Sequence, residues 1–219
     1  MTARKRVGVL ISGRGSNMAA LIEACRGPDF PAEIVTVVSN RPGAPGLQRA
    51  SDAGIATASV DHRQYNAREP FERALHQVLI DAGVELICNA GFMRILTGAF
   101  VERWRNRQLN IHPSLLHAFK GLNTHARALE AGVRISGCTV HFVREDMDSG
   151  PIVAQAAVPV LVGDDATRLA NRILAAEHRI YPLALRLVAS GAVRVVGDSI
   201  VSTAPDAEAA ATLFSPPPD

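Results

Sequence analysis

The chain has 219 residues, 47% of them apolar, with a formal net charge of +2, enough for the core of one globular domain and too little charge for a nucleic-acid partner. No apolar run approaches the roughly 18 residues of a membrane span, and "MTARKRVGVLISG" lacks the length and cleavage site of a secretory signal. Cys25, Cys88 and Cys138 stand far apart with no CxxC, which points to small buried thiols in a reducing, cytoplasmic setting.

"RVGVLIS" reads as a strand covered on both faces, followed by a glycine turn, "GRGSN", and a helix, "MAALIEACR", with Ser16 or Asn17 as its N-cap. "EIVTVVSN" is a second buried strand, "PGLQRASDAG" a short helix closed by Gly54, and "IATASV" a third strand. "REPFERALHQVLIDAG" is an amphipathic helix with Phe71, Leu75, Val78 and Leu79 inward, and "VELICNAG" is the fourth strand. This alternation predicts a Rossmann-like α/β fold with a mostly parallel, doubly wound sheet. The pattern then loosens. "GAFVERWRN" is a helix, "QLNIHP" the fifth strand and "HARALEAG" a helix. "SGCTVHFV" and "IVAQAAVPV" are strands too close in sequence for a helical crossover, so they are expected to pair antiparallel. A long helix follows from Asp164 or Asp165, with Pro182 expected to kink it or break its hydrogen bonding. "AVRVVGDSIVS" suggests a hairpin. One domain over 1–203 is expected, with a mobile tail over 204–219.

"SGRGSN" joins the first strand to the first helix, where backbone amides and the helix dipole favour an anion. The dinucleotide fingerprint fails, because Met18 stands at the third glycine and Ser39-Asn40 where an acid belongs. The P-loop Lys-Ser/Thr pair is also missing. A phosphate monoester is therefore a better fit than a dinucleotide or a nucleoside triphosphate.

In "QLNIHP" the strand period sends Leu109 and Ile111 to one face and Asn110 and His112 to the other, with Pro113 ending the strand. An imidazole can move protons and an amide can donate to an oxyanion. The acid that would orient the imidazole is sought in "REDMDSGP", which offers Glu145, Asp146 and Asp148; the residues alone do not choose among them. Ser114 has no G-x-S-x-G elbow, and the seven histidines show no HExxH or clustered spacing for zinc. His141 reads as a core residue or a support to the site.

The segments "VLISGRGSN", "AGFMRIL", "LNIHPSLL", "GCTVHFV", "DMDSGPIVAQAAVPV" and "AAEHRIYPL" stand in the order found in phosphoribosylglycinamide formyltransferases, the folate-dependent enzymes of purine synthesis, and the chain resembles that family over about residues 6 to 190. The resemblance implies formyl transfer from 10-formyltetrahydrofolate, as co-substrate and without a metal, to the amine of a phosphoribosyl glycinamide. It implies Asn110, His112 and Asp148 as catalytic residues. It also implies Gly15, Ser16 and Asn17 as the phosphate loop and Glu177 as the holder of the substrate amine. Folate would be bound by Arg68, by Met93, Arg94, Ile95 and Leu96, and by Arg144, Glu145, Asp146 and Met147. His117 and Lys120 depart from the family pattern, in the loop after the catalytic strand. The partners expected are small molecules, with no nucleic acid and no membrane, for a monomer or homodimer. A formyltetrahydrofolate hydrolase, expected to carry an N-terminal regulatory domain, is the rival enzyme; a transfer-RNA formyltransferase would carry a further C-terminal domain. A non-enzymatic phosphosugar-binding module is the rival from another class.

Overall fold

A computed structural model describes residues 3–203 and Ser215; apart from Ser215, the expected tail over 204–219 lies outside the described residues. Strands β1 (Lys5–Ile11), β2 (Ala32–Ser39), β3 (Ala56–Ser59), β4 (Leu86–Asn89) and β5 (Gln108–His112) run parallel. Strands β6 (Ile135–Phe142) and β7 (Ile152–Pro159) close the sheet antiparallel, in the order β3-β2-β1-β4-β5-β6-β7. The expected mixed sheet is therefore present. A separate hairpin pairs β8 (Val193–Val196) with β9 (Ser199–Ser202).

The central strands are apolar on both faces because both faces are covered. On β1, Val7, Val9 and Ile11 pack with helices α1 (Ser16–Cys25), α2 (Pro45–Asp52), α5 (Thr124–Glu130) and α6 (Ala166–Ala189). Leu10 points to the opposite face, against Phe71, Leu75 and Leu79 of α3 (Arg68–Asp81) and Phe100 of α4 (Gly98–Arg103).

Two local expectations are corrected. Val78 is only partly buried, and the inward position on α3 belongs to Glu72. Its carboxylate is used: it accepts from the Thr97 amide at 2.7 Å and from the Thr97 hydroxyl, at the start of α4. Helix α1 begins at Ser16 with Gly15 as its N-cap, and neither Ser16 nor Asn17 caps it through a side chain. Pro182 lies inside α6, which runs through it as one 24-residue helix; the proline's missing amide removes one rung of hydrogen bonding, as expected, while the buried stripe from Leu169 to Leu185 holds the rest. Asp165 caps that helix, accepting from the Arg168 amide at 2.7 Å.

The chain moves from β1 out to β3, then returns to the other side of β1 with β4. In sheets wound this way the crevice at the carboxyl ends of the strands, where the order reverses, receives ligands.

Candidate active site

Two groups of residues meet that crevice. The first is built by backbone. Gly15 lies in the left-handed region (φ 69), where a Cβ would approach Met18 Cε at 3.0 Å and Gly46 Cα at 3.2 Å, so the turn requires glycine. The first helical bond runs from the Ala19 amide to the Gly15 carbonyl, which leaves the amides of Ser16 and Asn17 aimed out of the helix. Asn17 is buried, and its Nδ2 donates to Glu177 Oε2 at 2.7 Å, while its Oδ1 has no partner. Burial raises the Glu177 pKa, and the Asn17 hydrogen bond partly offsets the rise. Glu177 is thus held by the glycine loop. Beside the loop, Ser12, Gly13, Arg41, His62 and Arg63 line a cavity of about 610 Å³.

The second group is built by side chains. Leu109 and Ile111 enter the core, while Asn110 is half-buried and His112 is 6% exposed. Of the three acids in the loop after β6, Glu145 and Asp146 are exposed and Asp148 is 8% exposed. Asp148 Oδ2 lies 3.4 Å from His112 Nδ1 and accepts from the Gly121 amide at 2.9 Å. Gly150 fixes the chain just beyond it, since a Cβ there would sit 1.8 Å from the Phe142 carbonyl oxygen. The other ring nitrogen of His112, Nε2, lies 3.1 Å from the Phe119 carbonyl. An imidazolium can donate to both acceptors at once.

His141 completes this end, and its role was not legible in its own segment. It is the cross-strand partner of Asn110 in the β5–β6 ladder. Burial, the largest cause, pushes its pKa down to about 4, against the raising effects of the Phe142 hydrogen bond and Asp148. Neutral His141 donates from Nδ1 to the Phe142 carbonyl at 3.0 Å, and its Nε2 accepts from Asn110 Nδ2 at 3.2 Å. Its 3.7 Å approach to Asp148 Oδ1 is therefore no ion pair. The signal that could have found His141 was register: once β5 and β6 pair antiparallel, Asn110 faces it.

Ser114 is 1% exposed and donates to the Ala118 carbonyl at 2.7 Å, so its hydroxyl is structural. Met93 to Leu96 form a segment without regular secondary structure, with Met93 63% and Ile95 64% exposed, anchored by buried Leu96. Arg144 is tied to the Val143 carbonyl at 3.0 Å and to Asn106 Oδ1 at 2.8 Å, and Met147 is exposed. Arg68 opens α3 and is exposed. His117 and Lys120 are both exposed, and the Lys120 carbonyl accepts from Arg127 at 2.5 Å. Among the described residues no helix is long and apolar enough to cross a membrane.

The family model described as formyl transferase matches residues 5–185. The trifunctional purine biosynthetic protein adenosine-3 of Gallus gallus is 56% identical over 194 residues, 89% of this chain but 19% of that protein. The chain thus spans only a small part of that relative's length. The phosphoribosylglycinamide formyltransferase of Escherichia coli (strain K12) is 43% identical over 187 residues, 85% of this chain and 88% of that one. The crystal structure of glycinamide ribonucleotide transformylase 1 from Symbiobacterium toebii has a TM-score of 0.89 at 47% identity, covering 92% of this chain and 95% of that one.

Proposed function

Because the chain belongs to the formyl transferase family, we propose that it transfers the formyl group of 10-formyltetrahydrofolate to the amine of phosphoribosyl glycinamide. The observation that carries this reading is the pairing of His112 with buried Asp148 beside an oriented Asn110, at the carboxyl end of β5. A phosphosugar-binding module needs the glycine loop and has no use for that set.

The phosphate rests on the free amides at the start of α1. Asn17 Oδ1, buried and unpartnered, accepts a ligand donor beside Glu177. The folate lies along Met93–Leu96 and the loop of Arg144 to Met147, with exposed Met93, Ile95 and Met147 as apolar contacts and Arg68 at the outer end. Both substrates are small molecules, and the fold and its relatives fit a soluble biosynthetic enzyme of the cytoplasm.

The amine nitrogen attacks the formyl carbon, and the carbonyl oxygen becomes an oxyanion. Asn110 gives one Nδ2 hydrogen to His141 and keeps the second for this oxygen. His112 Nε2, which faces the Phe119 carbonyl at rest, exchanges that acceptor for the oxyanion. Asp148, 3.4 Å from Nδ1, keeps the ring oriented throughout. As the carbon–nitrogen bond breaks, His112 gives its Nε2 proton to the folate nitrogen and takes the proton released by the attacking amine in its place. Holding the two substrates in register supplies much of the rate.

The test is to mix the protein with 10-formyltetrahydrofolate and glycinamide ribonucleotide and follow formylated product, with and without the amine. Transfer requires the amine; formate released at an equal rate without it would mark a hydrolase instead.

A further inference from the structure

Ser12 follows β1 and precedes the glycine loop, and it is 5% exposed. Its hydroxyl has two partners. It accepts from the Met93 amide at 2.7 Å and donates to Asn40 Oδ1 at 2.5 Å. Asn40, 2% exposed, stands at the end of β2, where a dinucleotide site would carry its acid. Asn40 is instead engaged internally: its Oδ1 accepts from Ser12, and its backbone carbonyl lies 2.9 Å from His62 Nδ1, in the turn after β3. One chain of polar contacts therefore crosses the ends of four neighbouring strands, β3, β2, β1 and β4. Backbone bonds fix the flanks: the Ser12 amide donates to Gly91 at 3.1 Å, and the Gly46 amide to Gly13 at 3.0 Å. Met93 lies beyond that backbone link, and the Ser12 hydroxyl holds it.

We propose that Ser12 is a positioning residue that couples the two substrate sites, its hydroxyl fixing the Met93–Leu96 segment at a set distance from the glycine loop. The inference rests on the functional reading above, in which those two segments hold the folate and the ribonucleotide. Neither substrate needs to touch Ser12. Without the hydroxyl, the Met93 amide and Asn40 Oδ1 lose their partner in a water-poor setting, and the segment shifts to recover them. A shift of about 1 Å between the two reactants can cost on the order of a hundredfold in rate without weakening either one's binding.

The test uses three ligands on the full chain by calorimetry: the ribonucleotide, a 10-substituted folate, and the two joined by a short linker. A linked ligand gains from its second contact only when the sites keep their spacing, so Ser12→Ala should cost it about tenfold or more in affinity. The separate halves should stay within about twofold of wild type, and turnover should fall between roughly tenfold and a hundredfold. Ser12→Thr, which restores the hydroxyl, should recover the linked ligand's advantage. Undiminished binding of the linked ligand, or equal losses for both halves, would overturn the proposal. If Ser12→Ala does not fold, Ser12→Cys keeps the volume and weakens both bonds; a partial loss is expected, and wild-type linked affinity overturns the idea. A wild-type chain that binds neither half would bring down the functional reading itself. A working wild type with an indifferent Ser12→Ala would bring down the coupling alone.

Discussion

The two ends of the crevice are made in different ways. At the glycine end the groups proposed to work are backbone amides, delivered by a left-handed Gly15 and the first turn of α1. At the imidazole end they are side chains from three segments, gathered by the antiparallel pairing of β5 with β6. Backbone amides bind an anion equally before and after the reaction. In the proposed reaction the Asp148–His112 pair and the oriented Asn110 amide act most strongly when negative charge appears on the formyl oxygen. One end should therefore govern affinity and the other the rate.

The sharpest way to break this division is His112→Ala. Turnover should fall by roughly a thousandfold, with the Michaelis constant for the ribonucleotide little changed. A rise in that constant with turnover preserved would reverse the roles of the two ends.

The imidazole end also carries a cost in stability that a backbone site avoids. His141 has a folded pKa near 4 against an ordinary 6.5, so the unfolded chain takes up the proton first. Stability from this group is complete above pH 6.5 and is lost as pH falls toward 4. Between pH 7 and 5 the loss from His141 should be about 2 kcal/mol, read as the difference in the pH dependence of unfolding between wild type and His141→Gln. Burial also lowers the pKa values of His76, His125 and His178, which slope the same way and remain in the variant.

At the glycine end, Gly15→Ala places a Cβ where φ is 69, against Met18 and Gly46. The ribonucleotide constant should rise roughly tenfold, as hydrogen bonds to a charged group are lost, while the folate constant stays put. Equal losses for both substrates would mean that the turn is purely structural. The smallest effect is expected from Glu177→Gln. Glutamine still accepts from Asn17, so Tm should hardly move, while ribonucleotide affinity drops about threefold. A large fall in Tm with unaltered binding would make the pair a core feature only.

The same contrast decides how much was legible in the sequence. The parallel core was, because Val7, Val9, Leu10 and Ile11 alternate between two buried faces and a run of such strands allows few layouts. Asn110 and His112 were legible because the strand period is local. The choice of Asp148 over Glu145 and Asp146 followed from family resemblance, since burial of one acid in a loop depends on a fold-back that spacing does not encode. The partner of Asn17 lies 160 residues away on α6, and the partner of Asn110 lies across a ladder whose register no single segment specifies. The cap of α1 was misread because Ser16 and Asn17 are good cap residues in general, whereas here Asn17 is drawn to Glu177 and Gly15 takes the cap.

Asp148 is where the division of labour is most exposed to test. Asp148→Asn keeps the shape and removes the charge, and single-turnover rates against ribonucleotide concentration separate binding from chemistry. The plateau should fall roughly a hundredfold, the usual effect of losing one preorganised electrostatic partner, with half-saturation nearly unmoved. Glu145→Gln and Asp146→Asn, both exposed, should stay within about tenfold of wild type. A plateau at the wild-type level in Asp148→Asn, or one of the exposed acids matching its loss, would contradict the assignment.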